Sequence, residues 1–259
     1  MDVWSLYQDR LSAAGNTNRD VKLNRLKDKI TRDSQTSLSK HEVQIGETTQ
    51  ALIITSGTDF DTKTVCTIPG EDILCGTDIV WGNEHWLVTE TDADSQVYTR
   101  GKMQRCNHLL KWVANDGTLC ERWCIVSDGT KSMAGQEDGG INVSLSMGDT
   151  RISVTLAYDE CTAKLSRDQR FIIDDPNSAT VLAYKLTKPF KIGGVYNGHG
   201  AMTFILSEVN TEDTDNLELR IADYYKYFNR DTNDGVSDDE PELDNASNNT
   251  DASGKKVWF

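Results

Sequence analysis

The chain is poor in proline and has no long hydrophobic run. Only four of its 259 residues are proline. Its longest apolar stretch, residues 51–55, has the length of a strand, whereas a membrane-spanning helix needs about 18 apolar residues. The opening residues, MDVWSLYQDR, have an acid at Asp2 and no apolar core of the signal-peptide kind. We therefore expect no membrane partner and folding in a cytoplasm.

The sequence also lacks the short motifs of common catalytic sites. It has no Gly-x-Ser-x-Gly turn, and its four histidines lie in unrelated contexts. The glycines of residues 193–200 surround a predicted hairpin turn, which is unlike the strand-to-helix junction of a phosphate loop. The acidic run after residue 229 fails the register of a calcium-binding loop. We predict a protein that is not an enzyme and has no cofactor.

Positive charge is scarce and unevenly distributed. The chain has 27 basic and 41 acidic residues, which gives a net charge of −14. Residues 1–40 nevertheless hold eight basic and five acidic side chains, whereas residues 229–251 hold one basic and eight acidic side chains. This balance argues against broad binding to DNA phosphates, which needs a positive surface. It is compatible with a protein that lets DNA pass without binding it.

The six cysteines are expected to be free thiols, because disulfides are rare in reducing compartments. Cys106, His108, Cys120 and Cys124 are the best metal candidates, since a turn at residues 116–117 would place their strands side by side. Four nitrogen and sulfur ligands suit structural zinc. Their spacing is not that of a zinc knuckle, and reduced cysteine often packs as a small hydrophobe. We predict core packing and no metal, with zinc as the alternative.

Most of the chain shows the alternation of apolar and polar residues that is typical of strands. The pattern is clearest in residues 79–112, which begin IVWGNEHWLVTE, and it indicates a half-buried antiparallel sheet. Residues 95–112 are predicted to form one long strand that bends at Gly101. Asn197-Gly198 is the dipeptide favoured in type I′ hairpin turns. Residues 217–227 fit either a strand or a short helix.

The N-terminal segment favours a helix. Leu23, Leu26 and Ile30 recur at helical spacing among basic side chains over residues 19–32, and Asn18 is a candidate N-cap. Two interpretations are open for this helix. It either packs on its own barrel or forms a basic arm that docks on a neighbouring subunit.

The sequence predicts a mainly β chain with two small antiparallel β-barrel or sandwich-like modules. The glycine-rich run SDGTKSMAGQEDGG separates them, and the C-terminal run has too few apolar residues to offset ordering entropy. The predicted segments are an N-terminal helical arm (1–40), a first β-barrel module (41–127), a flexible loop or linker (128–140), a second β module (141–228) and a flexible, disordered acidic tail (229–259).

Four tryptophans fall in the predicted first module. They are Trp81, Trp86, Trp112 and Trp123. Tryptophan is enriched in cores and at interfaces. We expect at least two in the core and one or two exposed at a contact face.

Several stretches resemble predicted structural proteins of tailed bacteriophages of Gram-positive hosts. They are residues 68–112 (IPGEDILCG to CNHLLKW), ERWCIVSDGTK after them, and the later text RFIIDDP, LAYKLTKP, VYNGHG and DNLELRIADYY. The resemblance covers roughly residues 50–227. Such proteins are identified as head-closure or head–tail connector proteins. The resemblance implies a β-barrel subunit of a ring at the virion neck, assembled in the host cytoplasm, with genomic DNA passing through its channel without sequence-specific binding.

We therefore predict a structural virion protein that self-associates into a ring and docks on the portal or adaptor protein and on tail proteins. The candidate contact residues are Leu23, Leu26 and Ile30 of the arm, Met133 and Gln136 of the loop, and Trp258 and Phe259 at the C-terminus. One alternative is a capsid decoration or minor tail protein. Another is a Trp-rich binding module for carbohydrate or single-stranded nucleic acid, because Arg100, Lys102, Arg105 and Lys111 lie near its aromatic residues.

Overall fold

The computed structural model describes residues 3–12, 15, 17–57, 59–92, 96–128, 151–174, 180–187 and 194–228. Its N-terminal half contains α1 (Val3–Ser12), α2 (Asn18–Gln35), β1 (Lys40–Ile45), β2 (Thr48–Ser56), β3 (Thr62–Thr67), β4 (Asp78–Trp81), β5 (Glu84–Thr91) and β6 (Arg100–Arg105). Residues 129–140 of the predicted loop and the predicted tail, 229–259, lie outside the described residues, as do Met133, Gln136, Trp258 and Phe259.

The second half contains β7 (His108–Val113), β8 (Leu119–Asp128), β9 (Arg151–Ala157), α3 (Glu160–Ala163), β10 (Arg170–Ile172), β11 (Ala183–Leu186), β12 (Val195–Tyr196), β13 (His199–Val209) and α4 (Tyr224–Tyr227). The fold is mainly β, with two barrel-like antiparallel sheets and helix at the N-terminus, which confirms the predicted class. Within the described residues, no helix combines the length and the apolar character needed to cross a membrane.

The predicted helix over residues 19–32 is present as α2. The prediction that Asn18 caps it was wrong, because Thr17 is the N-cap, with the extended φ of −123° that this position requires. The Thr17 hydroxyl accepts a hydrogen bond from the Asp20 backbone N–H at 3.1 Å, and the Asp20 carboxylate accepts one from the Thr17 N–H at 3.1 Å. This capping box satisfies two backbone donors at the start of the helix.

The first sheet is a closed barrel with strand order β1-β2-β3-β6-β5-β4, and β4 returns to pair with β1. Closure pairs the edge strands that an open sheet would expose. Alternate residues of these strands point inward and fill the interior. The buried apolar side chains are Val43, Leu52, Ile54, Val65, Ile73, Ile79, Trp86, Val88 and Met103.

The prediction of one long strand over residues 95–112 was wrong, because β6 ends at Arg105 and β7 begins at His108. Asn107 marks the break. Its side-chain Nδ2 donates to the Val126 carbonyl at 2.7 Å, and its Oδ1 accepts from the Val126 N–H at 2.8 Å. The side chain thus replaces a backbone ladder pair at the point where the chain leaves the barrel. Gly101 instead lies inside β6, where a Cβ would be 2.7 Å from the Glu90 carbonyl oxygen.

The second sheet has the order β10-β11-β13-β9-β8-β7, and β12 joins β13 in a hairpin. Asn197 and Gly198 turn this hairpin with φ of 52° and 81°, the two positive values that define the type I′ turn predicted there. The sheet curls towards closure, because Gln169 beside β10 donates a hydrogen bond to the Val113 carbonyl of β7 at 3.1 Å.

Residues 108–128 belong to this second sheet, whereas the sequence expectation placed the module boundary after residue 127. Pairing of β8 with β9 is the reason, since Ile125 lies opposite Thr155 and Val126 opposite Val154. Trp112 of β7 is buried in the core of the second sheet, with its ring 6.1 Å from that of Phe171.

Arg170 ties the C-terminal described segment to the second sheet. Its guanidinium donates to the Asp215 carboxylate at 2.8 Å, to Asp223 at 3.1 Å and to the Asn210 carbonyl at 2.9 Å. The Arg170 side chain is 6% exposed and that of Asp215 is fully buried. This segment ends in the short helix α4. Residues 217–227, for which the sequence fitted either a strand or a short helix, form turns followed by a helix.

Candidate interaction surface

The predicted arm residues lie on α2. Leu26 is 46% exposed, and Leu23 and Ile30 are half-buried. Among the described residues, no strand makes an extensive contact with α1 or α2. Arg19 at the start of α2 donates to the Gln96 side chain at 2.9 Å, and Ser34 near its end is buried. The helix thus contacts its own chain through Arg19, while Leu26 is exposed to solvent.

The helix α1 presents apolar side chains to solvent. Val3 is 80% exposed and Trp4 62%, and Leu6 and Tyr7 are also exposed. The rings of Trp4 and Tyr7 stack with their centroids 5.6 Å apart. Exposed apolar residues that cluster on a protein surface are typical of an interaction site. The sequence predicted a helical arm over residues 1–40 but singled out only residues 19–32 as a helix, although the spacings of three and four residues between positions 3, 4 and 7 are also helical.

The four tryptophans divide as expected between core and surface. Trp86 and Trp112 are buried, Trp81 is half-buried and Trp123 is 37% exposed. The exposed Trp123 of β8 stacks on His85 of β5, with ring centroids 4.5 Å apart and planes 16° apart. One face of Trp123 is therefore used to join the second sheet to the barrel.

The basic side chains near these aromatic residues form ion pairs with carboxylates. Three of the four singled out in the sequence form ion pairs, namely Lys102 with Glu90 at 2.8 Å, Arg105 with Asp61 at 2.7 Å and Lys111 with Glu121 at 3.3 Å. Paired bases attract phosphate less than free ones, because the neighbouring carboxylate repels it. The local charge thus disfavours a nucleic-acid platform.

The structure does not assemble the four residues considered for zinc. Cys120 and Cys124 belong to the core of the second sheet, and Cys106 packs in a separate cluster with Leu87 and Ile125. Burial raises the pKa of Cys106 and of Cys124 to about 12, as for thiols packed among apolar side chains. Within the described part of the chain, no three metal-binding side chains lie together.

A cleft of about 600 Å³ opens between the loop of residues 71–77 and the β12–β13 hairpin. Its apolar rim is formed by Leu74, 49% exposed, and Tyr196, 73% exposed. Asp72 lies at the edge, where its carboxylate accepts a hydrogen bond from the Thr99 hydroxyl at 2.8 Å. We call this feature the inter-sheet cleft. Its residues come from distant parts of the chain, so no local sequence signal predicted it.

Two acidic side chains line the inter-sheet cleft. Asp72 and Asp92 are both exposed and both line it, as does the exposed His199. Cys75 forms part of the wall, with its Sγ donating to the Thr89 carbonyl at 3.0 Å, and burial raises the pKa of this thiol. The cleft is therefore an apolar surface with a negative edge.

Comparison with known proteins finds no match: no protein family, no curated protein and no solved structure is detectably similar to this chain.

Proposed function

We propose that this chain is a structural subunit that self-associates through its N-terminal helices and forms part of the head–tail connector of a tailed bacteriophage. The observation that carries the proposal is the exposed apolar surface of α1, which belongs to a pair of helices without extensive contacts to the described strands of their own chain. Apolar side chains held in water favour association with a second surface, because their burial is worth roughly 25 cal/mol per Å².

The distribution of charge supports association between copies. Residues 1–40 carry a net charge of +3, and since the whole chain carries −14, the remainder carries −17. The arm is therefore attracted to an acidic body, that of another copy as well as its own. An acidic body also suits a channel through which DNA slides, because its phosphates are repelled and not bound.

The proposed position at the virion neck rests on the sequence resemblance. In this proposal the two barrel-like sheets are rigid bodies, and the arms and loops make the contacts to neighbouring subunits, to the portal or adaptor protein and to the tail. The closed barrel fits this role, since its strands are paired with each other and a contact through its loops leaves its ladder intact.

Removal of the arm tests the self-association. A variant lacking residues 1–33 retains every strand, since β1 begins at Lys40. We expect it to keep the far-UV circular dichroism of the β sheets and to run as a monomer in light scattering, while the full chain forms a closed oligomer. A full chain that is monomeric at every concentration, or a truncated chain that still forms the oligomer, would overturn the proposal.

Immunogold electron microscopy on particles from the native source tests the location. Label confined to the neck supports the connector. Label on the shell would indicate a capsid decoration protein, and label along the tail would indicate a minor tail protein. Particles without label would reject the virion role.

A further inference from the structure

We infer that α1 of one copy docks in the inter-sheet cleft of a second copy of this chain. The inference rests on the proposed self-association and names the two surfaces that make it. The inserted anchors are Trp4 and Tyr7, and the receiving walls are Leu74 and Tyr196.

The two surfaces are both apolar, and the cleft is large enough for side-chain anchors. Trp4 and Tyr7 lie three residues apart on α1, so they project from one face of the helix. An amphipathic helix that lays such anchors into an apolar groove is a recurring mode of recognition. The cleft, at about 600 Å³, falls within the range of roughly 300–1,000 Å³ that binding pockets occupy.

The helix that follows α1 matches the cleft in charge. The cleft carries Asp72 and Asp92 at its edge. The helix α2, which follows α1, has basic residues in its first two turns at Arg19, Lys22 and Arg25. Docking of α1 in the cleft of a second copy brings these basic side chains towards its acidic edge. Opposite charges there steer the encounter and set its orientation.

The arm begins beside the cleft of its own chain. Arg19 contacts Gln96, and Thr99, three residues further on, lines the cleft. Only residues 13–17 separate α1 from α2. Trp4 and Tyr7 are nevertheless exposed in the single chain, and we infer that they dock in the cleft of an adjacent copy. Each copy then gives an arm and receives one, and such a head-to-tail contact generates a ring when its rotation closes.

Complementary defects test the contact. One variant carries Trp4→Ala and Tyr7→Ala, and a second carries Leu74→Ala and Tyr196→Ala. We expect each variant alone to lose the oligomer, with self-association weakened about 30-fold or more, as for the loss of an interface hot spot. Mixed together, the two variants should form a one-to-one dimer, because the first keeps a working cleft and the second keeps a working arm.

The control is Phe60→Ala, which removes an aromatic side chain that is 97% exposed. Phe60 lies outside the cleft, because it precedes the first residue of β3. Thr99, which lines the cleft, pairs with Thr67 at the last residue of that strand. The control should oligomerise like the wild type. Circular dichroism of every variant shows whether it is folded. Oligomers from both double variants, or folded variants that give no dimer on mixing, would overturn this inference and leave the proposed self-association standing.

Photo-crosslinking gives a second readout that requires no change in the cleft. A photoreactive amino acid at position 4 is placed in unlabelled chain, which is mixed with ¹⁵N-labelled wild type before illumination. We expect crosslinked peptides that join position 4 to residues 72–75 or 196–199 of the labelled copy. Crosslinks confined to one copy, or directed to another surface, would overturn the inference. A wild-type chain that does not oligomerise would instead remove the proposed function itself.

Discussion

Gly76, in the loop before β4, lies directly against Gly200 of β13, so that a Cβ on Gly76 would be only 2.1 Å from the Gly200 carbonyl oxygen. Gly76 belongs to a loop of the barrel, whereas Gly200 belongs to the second sheet. Their contact brings the barrel and the second sheet together next to the inter-sheet cleft, whose wall includes the neighbouring Cys75 and His199. Glycine is required here because a side chain would push backbone against backbone.

This contact predicts a large effect of Gly76→Ala. The φ of Gly76 is 87°, and the added Cβ meets a backbone atom that cannot rotate away. We expect the free energy of unfolding in urea to fall by at least about 3 kcal/mol, which combines backbone strain with the steric clash. Gly198→Ala is the matched control, since its φ is 81° and its Cβ would meet nothing within 4 Å. That control should cost only about 1 kcal/mol, and equal losses for both would contradict the interpretation.

The buried ion pairs of Arg170 predict a second stability effect. Arg170→Met leaves the fully buried Asp215 carboxylate without its cation, so the free energy of unfolding should fall by roughly 3–5 kcal/mol. The control is Glu212→Gln, because the Glu212 side chain pairs with the same guanidinium but is 55% exposed. Its loss should stay below about 1 kcal/mol. Chemical denaturation of both variants measures the difference, and a near-neutral Arg170→Met would show that the network contributes little.

His108 predicts a loss of stability in mild acid. Burial lowers the pKa of His108, and the nearby Asp174 opposes this shift only in part. The unfolded chain therefore takes up a proton near pH 6.5, before the folded protein does. Stability is present above that pH and falls as the pH drops below it. We expect His108→Gln to reduce the decrease in urea midpoint between pH 7 and pH 5. His199→Gln, at an exposed position, is the control, and an unchanged slope in His108→Gln would refute the assignment.

The buried thiol of Cys124 predicts a loss of folding stability at alkaline pH. Burial raises its pKa to about 12, and its Sγ donates to the His108 carbonyl at 3.4 Å. The unfolded thiol loses its proton near pH 8.5, so stability is complete below that pH and decreases between there and pH 12. Cys124→Ala should lower stability at pH 7 by leaving a cavity, yet show a flatter decline above pH 9 than the wild type. A parallel decline in both proteins would exclude Cys124 as the cause.

Local features of the sequence were sufficient for the elements with a strong periodic pattern. The helical spacing of Leu23, Leu26 and Ile30 predicted α2, and Asn197-Gly198 predicted the β12–β13 turn. Residues whose role depends on distant partners were not predictable in this way. The break at Asn107 exists because its side chain pairs with Val126, and nothing within residues 95–112 encodes that partner.

The sequence by itself determined that this chain is mainly β, acidic, and supplied with a basic N-terminal helix, because alternation, composition and helical spacing act over a few residues. Only the tertiary structure decided that residues 108–128 join the second sheet, that α1 faces solvent, and that the inter-sheet cleft forms. Alternation states which face of a strand is buried but not which strand lies beside it. That choice depends on how all the apolar faces pack at once. It brings Leu74 and Tyr196, which are far apart in the sequence, to the same cleft.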